Sequence, residues 1–446
     1  MSGLTDKSFG VFDDYDELDY SNYQELELTN KGLFKNHWGP LDLSGVRFIT
    51  PQTAEVLAAN KDELLLNGLK EISSQVAEQL ARHRGDDLQL NGLQEIPNDV
   101  AEHLSKYRGY LQLNGVQKLS PSAAAALSEQ RNGPSLEGLI EVDAEVAASL
   151  AKFKSEDLDL SGIHSLEPKA AAALASFKGG LLYLNGISRM DANVAKELSK
   201  YCGDGLMLDG LKELGESSAS SLAQVTSYLS LDGLKDLTPE VAQALKQHKK
   251  SLYLQGLTRL SAETAKELAN HQGDALSLKG LKSINEKCCE FLVGYKGELL
   301  LEGIRSISDK AALQLAKRKK KTHLKRLLSI TDSEGHLALT QMIVDQNDSG
   351  FLSLYSTQIS TDAFRILVKF RGGLTLGGLE QMTLSDAKIL RKHKGELGLY
   401  GLRNVSDEVA KQLRRVKGKL DINLDNLPDS AAKILRDAGH GADDDD

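Results

Sequence analysis

One interval governs how this chain can fold. The pattern Leu-x-Leu-x-Gly-Leu-x-x-Leu/Ile, followed by a stretch rich in Ala and Leu, returns every 23 or 24 residues. Its glycine slot falls at Gly45, Gly68, Gly92, Gly115, Gly138, Gly162, Gly186, Gly210, Gly233, Gly256, Gly280 and Gly303. A looser beat continues through Arg326, Ser356, Gly378, Gly401 and Asn426, so 14 of 17 slots hold Gly. A fixed period in this range marks a solenoid or array, because each unit can bury its apolar face only against its neighbours. Length agrees: 446 residues exceed the ~250–300 at which a single packed core stops growing.

Each unit carries two periodicities. In Leu64-Leu65-Leu66-Asn67-Gly68-Leu69 the alternation suits a short strand with Leu64 and Leu66 pointing inward. Nine residues after the slot stands Ala in 13 of 17 copies, and twelve after it Leu in 14 of 17. That spacing of three puts both on one helical face, and small Ala allows close approach to the strands. Ser73, Ser261 and Ser406 mark helix starts, as do Ser120-Pro121 and Thr238-Pro239 with Pro at the first helical position. Gly85, Gly109, Gly273 and Gly297 read as helix ends. The expected fold is therefore an α/β solenoid of strand-helix repeats, with a parallel strand layer on one face and helices on the other.

Over residues 36–437 this pattern resembles the leucine-rich-repeat proteins, particularly bacterial leucine-rich-repeat-like arrays with an Ala-rich helix. The family's ladder Asn has no counterpart at its usual place, where Leu69, Leu93, Leu211 and Leu234 stand. A non-leucine-rich αβ solenoid is the other architecture the period admits. Residues 1–35 read as an acidic N-terminal segment or cap carrying Asp13, Asp14, Asp16, Glu17 and Asp19. Residues 438–446 read as a disordered acidic tail. Near 327–356 the interval stretches to 30 and a longer helix and loop are expected, either a seam in the array or an insertion on its convex side.

Composition excludes several functions. Net charge is −9, from 54 Lys and Arg against 63 Asp and Glu, which argues against a nucleic-acid coat. Three Cys, two of them adjacent, make no disulfide framework. No signal peptide or transmembrane run is visible, so a soluble cytoplasmic protein is expected, with non-classical export open. Cys288 and Cys289 fall in the small-residue register under a helix and read as inert thiols; Cys202 lies in a return loop without a catalytic constellation. His83, His248, His271 and His393 all lie 15 past a glycine slot, where other copies hold Tyr107, Phe153, Phe177, Tyr201 and Tyr295, so they read as packed rings. No metal-ligand spacing, phosphate loop or nucleophile elbow occurs. Neither catalysis nor a cofactor is expected.

Two surfaces are candidates for binding. The first is the exposed strand side, with Asn67, Asn91, Asn114, Glu137, Asp159, Tyr183, Asp209, Asp232 and Tyr253, a polar face with Tyr anchors for a protein partner. Acid predominates over 137–232 and favours a basic partner. The alternative is polyanion or nucleic-acid binding by Lys317, Arg318, Lys319, Lys320, Lys321, Lys325 and Arg326. The expected function is a non-catalytic scaffold presenting a long strand-lined face, its rigidity lowering the entropic cost of association.

Overall fold

The computed structural model describes residues 4–5, 18–19, 26–28, 34, 39–348 and 350–440. Most of the acidic segment at 1–35 and the tail at 441–446 lie outside the described residues. Contacts divide the chain into two units, Met1–Gly233 and Leu234–Asp446. The long repeat near 327–356 lies inside the second unit.

In the first unit most intervals give one short strand, one helix and two turns. The strands Leu18–Asp19, Leu41–Asp42, Leu64–Leu65, Asp87–Gln89 and Tyr110–Gln112 form one parallel sheet in chain order. Leu158–Asp159, Leu181–Tyr183, Gly205–Met207 and Tyr228–Ser230 pair in parallel in the same way. Leu88 faces Leu111 and Leu182 faces Leu206, so the inward leucines stack in rows. Pairing lapses between Tyr110–Gln112 and Leu158–Asp159 to one bridge, Gln112 with Ser135. There Pro134 occupies the first inward leucine position and has no N–H to donate.

The helices between strands are seven residues long, for example Ser74–Leu80 and Ala144–Leu150. Ser73 accepts from the Val76 N–H and Asp143 from the Glu145 and Val146 N–H groups, satisfying first-turn donors. Val76, Ala77 and Leu80 are buried, as are the strand leucines Leu64 and Leu66. Helices stop at the leucine of the pattern, as at Leu80. Gly85 therefore lies beyond the helix in the return loop, not at its end. A Cβ there would stand 2.0 Å from the Asp62 carbonyl oxygen of the preceding coil. The slot glycine has the same reason: a Cβ on Gly92 would stand 2.2 Å from the Asn67 oxygen and 2.3 Å from that of Leu69. Close packing of successive coils, rather than a left-handed dihedral, holds these positions to glycine.

In the second unit Leu252–Tyr253, Ala275–Ser277, Glu298–Leu300 and Thr322–His323 run parallel in order. A further sheet contains Phe351–Leu354, Gly373–Leu376, Leu397–Gly398 and Leu420–Asp421. Between the two sheets the helix Glu334–Asp345 has 12 residues instead of seven. The main chain stays in contact across this lapse, since the Tyr355 N–H donates to the Lys325 oxygen at 2.8 Å.

Candidate functional site

At several glycine slots of the first unit the preceding residue turns its side chain onto the next coil. Asn91 N–H donates to Asn67 Oδ1 at 3.0 Å, Asn114 N–H to Asn91 Oδ1 at 2.9 Å and Glu137 N–H to Asn114 Oδ1 at 3.3 Å. Further along, Asp209 N–H donates to Asn185 Oδ1 at 2.9 Å and Asp232 N–H to Asp209 Oδ1 at 3.0 Å. A side-chain ladder thus exists, carried by the residue before the glycine and not by the leucine position where the family pattern places it. Asn67, Asn91, Asn114 and Asp209, expected as free contact residues, spend an acceptor on this ladder and are half-buried. Their remaining groups join a polar row. Asn67 Nδ2 donates to Gln89 Oε1 and Asn91 Nδ2 to Gln112 Oε1, while both glutamines donate to Asp87 Oδ2.

The strand face proper gathers acids around one ring. Tyr183 on Leu181–Tyr183 sits beside Asp157, Asp159 and Asp209; partial burial first, then these carboxylates, pushes its phenol above the usual value. Asp159 also accepts from the Ser161 N–H at 2.8 Å and Asp157 from the Leu181 N–H at 2.8 Å. Asp157 was missed from sequence. Its signal is the alternation itself, since it precedes the inward Leu158 as Asp159 follows it. Glu137 is exposed and takes the Ser135 hydroxyl at 3.1 Å. Asp232 is half-buried in the first unit, and Tyr253 is half-buried on the strand face of the second.

A second ladder runs through the return loops. Tyr107 donates to the Gly85 oxygen at 2.8 Å, Gln130 Nε2 to that of Gly109 at 2.8 Å and Tyr201 to that of Gly180 at 2.9 Å. In the second unit Tyr295 donates to the Gly273 oxygen at 2.8 Å. Ring nitrogens take the same role: Nε2 of His83, His271 and His393 meet the Asp62, Lys250 and Gly372 oxygens at 3.0, 3.1 and 2.9 Å. His83 stacks on Tyr107, and His248 on His271 and His271 on Tyr295, each at 5.9 Å. Burial pulls His83 below its ordinary pKa and, with His248 adding charge repulsion, pulls His271 down to about 4.

Arg318 belongs to this buried column. It is 2% exposed, donates to the Leu292, Tyr295 and Gly297 oxygens and to Thr322 Oγ1, and lies 5.4 Å from the centre of the Tyr295 ring. Its place in a surface polyanion track is thereby corrected: every hydrogen-bonding face of its guanidinium is committed inside the coil. The other cations are dispersed. Lys317 bonds Gln314, Lys321 pairs with Asp348 at 2.7 Å, and Lys325 pairs with Glu302 at 3.1 Å. Lys319, Lys320 and Arg326 are exposed. Cys288 and Cys289 are buried, Cys202 exposed. Burial raises the Cys288 thiol and pushes Cys289 up to about 12. Cys288 Sγ reaches the Leu260 oxygen at 3.4 Å, as Ser218 and Thr264 reach Met190 and Leu237 in the same position of other coils. Among the described residues no group of three or more His, Cys, Asp or Glu is placed to hold a metal, and no helix is long and apolar enough to cross a membrane.

Strand, turn, short helix and return loop, stacked with inward leucine rows, give this chain the leucine-rich-repeat fold. Among solved structures it is similar to a chain of the mouse RP105/MD-1 complex, at 13% identity and TM-score 0.51, over 95% of this chain and 89% of that one. It is similar also to a chain of the Drosophila Toll–Spatzle complex, at 13% identity and TM-score 0.51, over 85% of this chain and 60% of that one. A leucine-rich-repeat protein of Leptospira interrogans aligns over 88% of this chain and 97% of its own, at 17% identity and TM-score 0.38. No protein-family model and no curated sequence matches the chain.

Proposed function

We propose that this protein is a non-catalytic interaction scaffold whose strand side receives a protein partner. The observation that carries the reading is the acidic setting of Tyr183, an amphipathic ring among Asp157, Asp159 and Asp209 on a rigid parallel sheet. Tyr supplies contact area at low entropic cost, and the carboxylates select a basic partner and speed its encounter. Two fold neighbours were solved as complexes, Toll with Spatzle and RP105 with MD-1, which supports display of a surface to another protein. Rigid coils held by two side-chain ladders require little ordering on binding.

The test is a pull-down with the intact chain against a variant carrying Tyr183→Ala and Asp159→Asn, with Tyr253→Ala added as a second variant. A partner recovered by the parent and lost with the first variant, while circular dichroism stays unchanged, is the expected result. Equal recovery by all three removes the strand face from consideration.

A further inference from the structure

A second surface in the unit Leu234–Asp446 has the opposite sign. Lys279, Glu302 and Lys325 hold the position before the slot in three successive coils, and Lys282 and Arg305 hold a later position in two of them. With Arg326 they line one open cavity of about 650 Å³. Glu302 binds Lys279 at 2.8 Å and Lys325 at 3.1 Å, so one carboxylate serves two ammonium groups. Lys282, Arg305 and Arg326 are exposed. Five cations against one carboxylate leave four positive charges in one concavity of a chain whose net charge is −9. Gathering like charges is unfavourable without an anion to receive. Exposed Leu328 and Tyr355, at 47% and 45%, complete the wall. Arg and Tyr around a concave apolar spot are the composition of an interface hot spot.

We propose that this cavity is a docking site for an acidic protein segment, carboxylates to Lys282, Arg305 and Arg326 and an apolar or aromatic side chain against Leu328 and Tyr355. The cations spread over three coils, roughly 10 Å at strand spacing, which is wider than one phosphate group and matches a chain with several carboxylates. A nucleic-acid backbone fits less well, because Glu302 stands inside the site, Arg318 is buried and Lys321 is paired with Asp348. The site shares no residue with the acidic strand face around Tyr183.

The probe is a short fluorescein-labelled peptide rich in Glu and Asp with a single Tyr, titrated by anisotropy against the full chain. Saturable binding is expected, weakened about tenfold or more by Lys282→Glu with Arg305→Glu, as reversal of a complementary charge pair predicts. Glu302→Gln removes the competing carboxylate and tightens binding several-fold, whereas a variant that merely damaged the fold would loosen it. Tyr183→Ala with Asp159→Asn leaves this affinity unchanged, which separates the two surfaces. The proposal is overturned if the double reversal binds equally well, if Glu302→Gln weakens binding, or if inorganic pyrophosphate or a single-stranded oligonucleotide displaces the probe at lower concentration than unlabelled peptide does.

Discussion

Arg318 carries a guanidinium into a column otherwise filled by rings, amides and apolar side chains, and four oxygens receive its N–H groups. Burial lowers its pKa to about 10, so it remains charged at neutral pH. Arg318→Ala leaves the Leu292, Tyr295 and Gly297 carbonyls without this donor and opens a cavity, costing about 3 kcal/mol. Arg318→Tyr costs less, because Tyr107, Tyr201 and Tyr295 already donate to the equivalent oxygen, that of Gly85, Gly179 and Gly273. Urea midpoints of the two variants check this, and equal losses would contradict it. The position was legible: Arg318 lies 15 past Gly303, the same count that marks His83 and Tyr107. Its membership in a run of five basic residues concealed the register. His271 supplies a pH signature. Its pKa is held at about 4 when folded against about 6.5 unfolded, so between these values the unfolded chain binds the proton first. Stability therefore falls as pH drops from about 6.5 to 4, by roughly 3 kcal/mol for this group, and levels off below. His271→Tyr should flatten that part of the profile, measured as the difference between urea midpoints at pH 7 and pH 4.5 for parent and variant.

At the scale of the element, strand and turn depend on a side chain from the neighbouring coil. Asn91 accepts the Asn114 N–H and donates its own N–H to Asn67. Asn91→Ala leaves the Asn114 N–H without this acceptor beside the sheet and should cost about 1–3 kcal/mol. Asn91→Asp keeps an acceptor and should cost less, as Asp209 serves the same function natively. Thermal or urea unfolding of the pair decides it, and an inert Asn91→Ala would mean that water replaces the bond. Alternation correctly separated inward leucines from outward polar residues here, since the period of two fixes which face a residue takes. It carries no information about whether an outward side chain remains in solvent or bends onto the next coil, as those of Asn67 and Asn91 do. Helix starts were readable from Ser73 and Thr238 because capping is local. Helix ends were not: Gly85 answers to the Asp62 carbonyl one coil away, a contact that no local pattern encodes.

For the whole molecule, the two ladders make a strong demand on length. Over residues 62–114 successive coils meet at the residue before the glycine and at the return-loop column, and both contacts recur at the same interval. Deleting residues 68–91 removes one full interval, from Gly68 to the residue before Gly92. The Asn114 N–H then meets Asn67 Oδ1, Leu111 stacks on Leu64, and the Tyr107 hydroxyl finds the Asp62 oxygen that His83 used. Every group lost is replaced by its equivalent, and in a one-dimensional array stability falls only by one coil and one interface. Deleting residues 80–91 instead brings a helix start against a return loop, sets Leu111 against no leucine row and leaves both ladders unmatched. The longer deletion should therefore retain the parent's mean residue ellipticity and a cooperative urea transition, while the shorter one loses both. If the two deletions are equally damaging, successive coils are not interchangeable, and stability in Met1–Gly233 depends on contacts other than those between neighbouring coils.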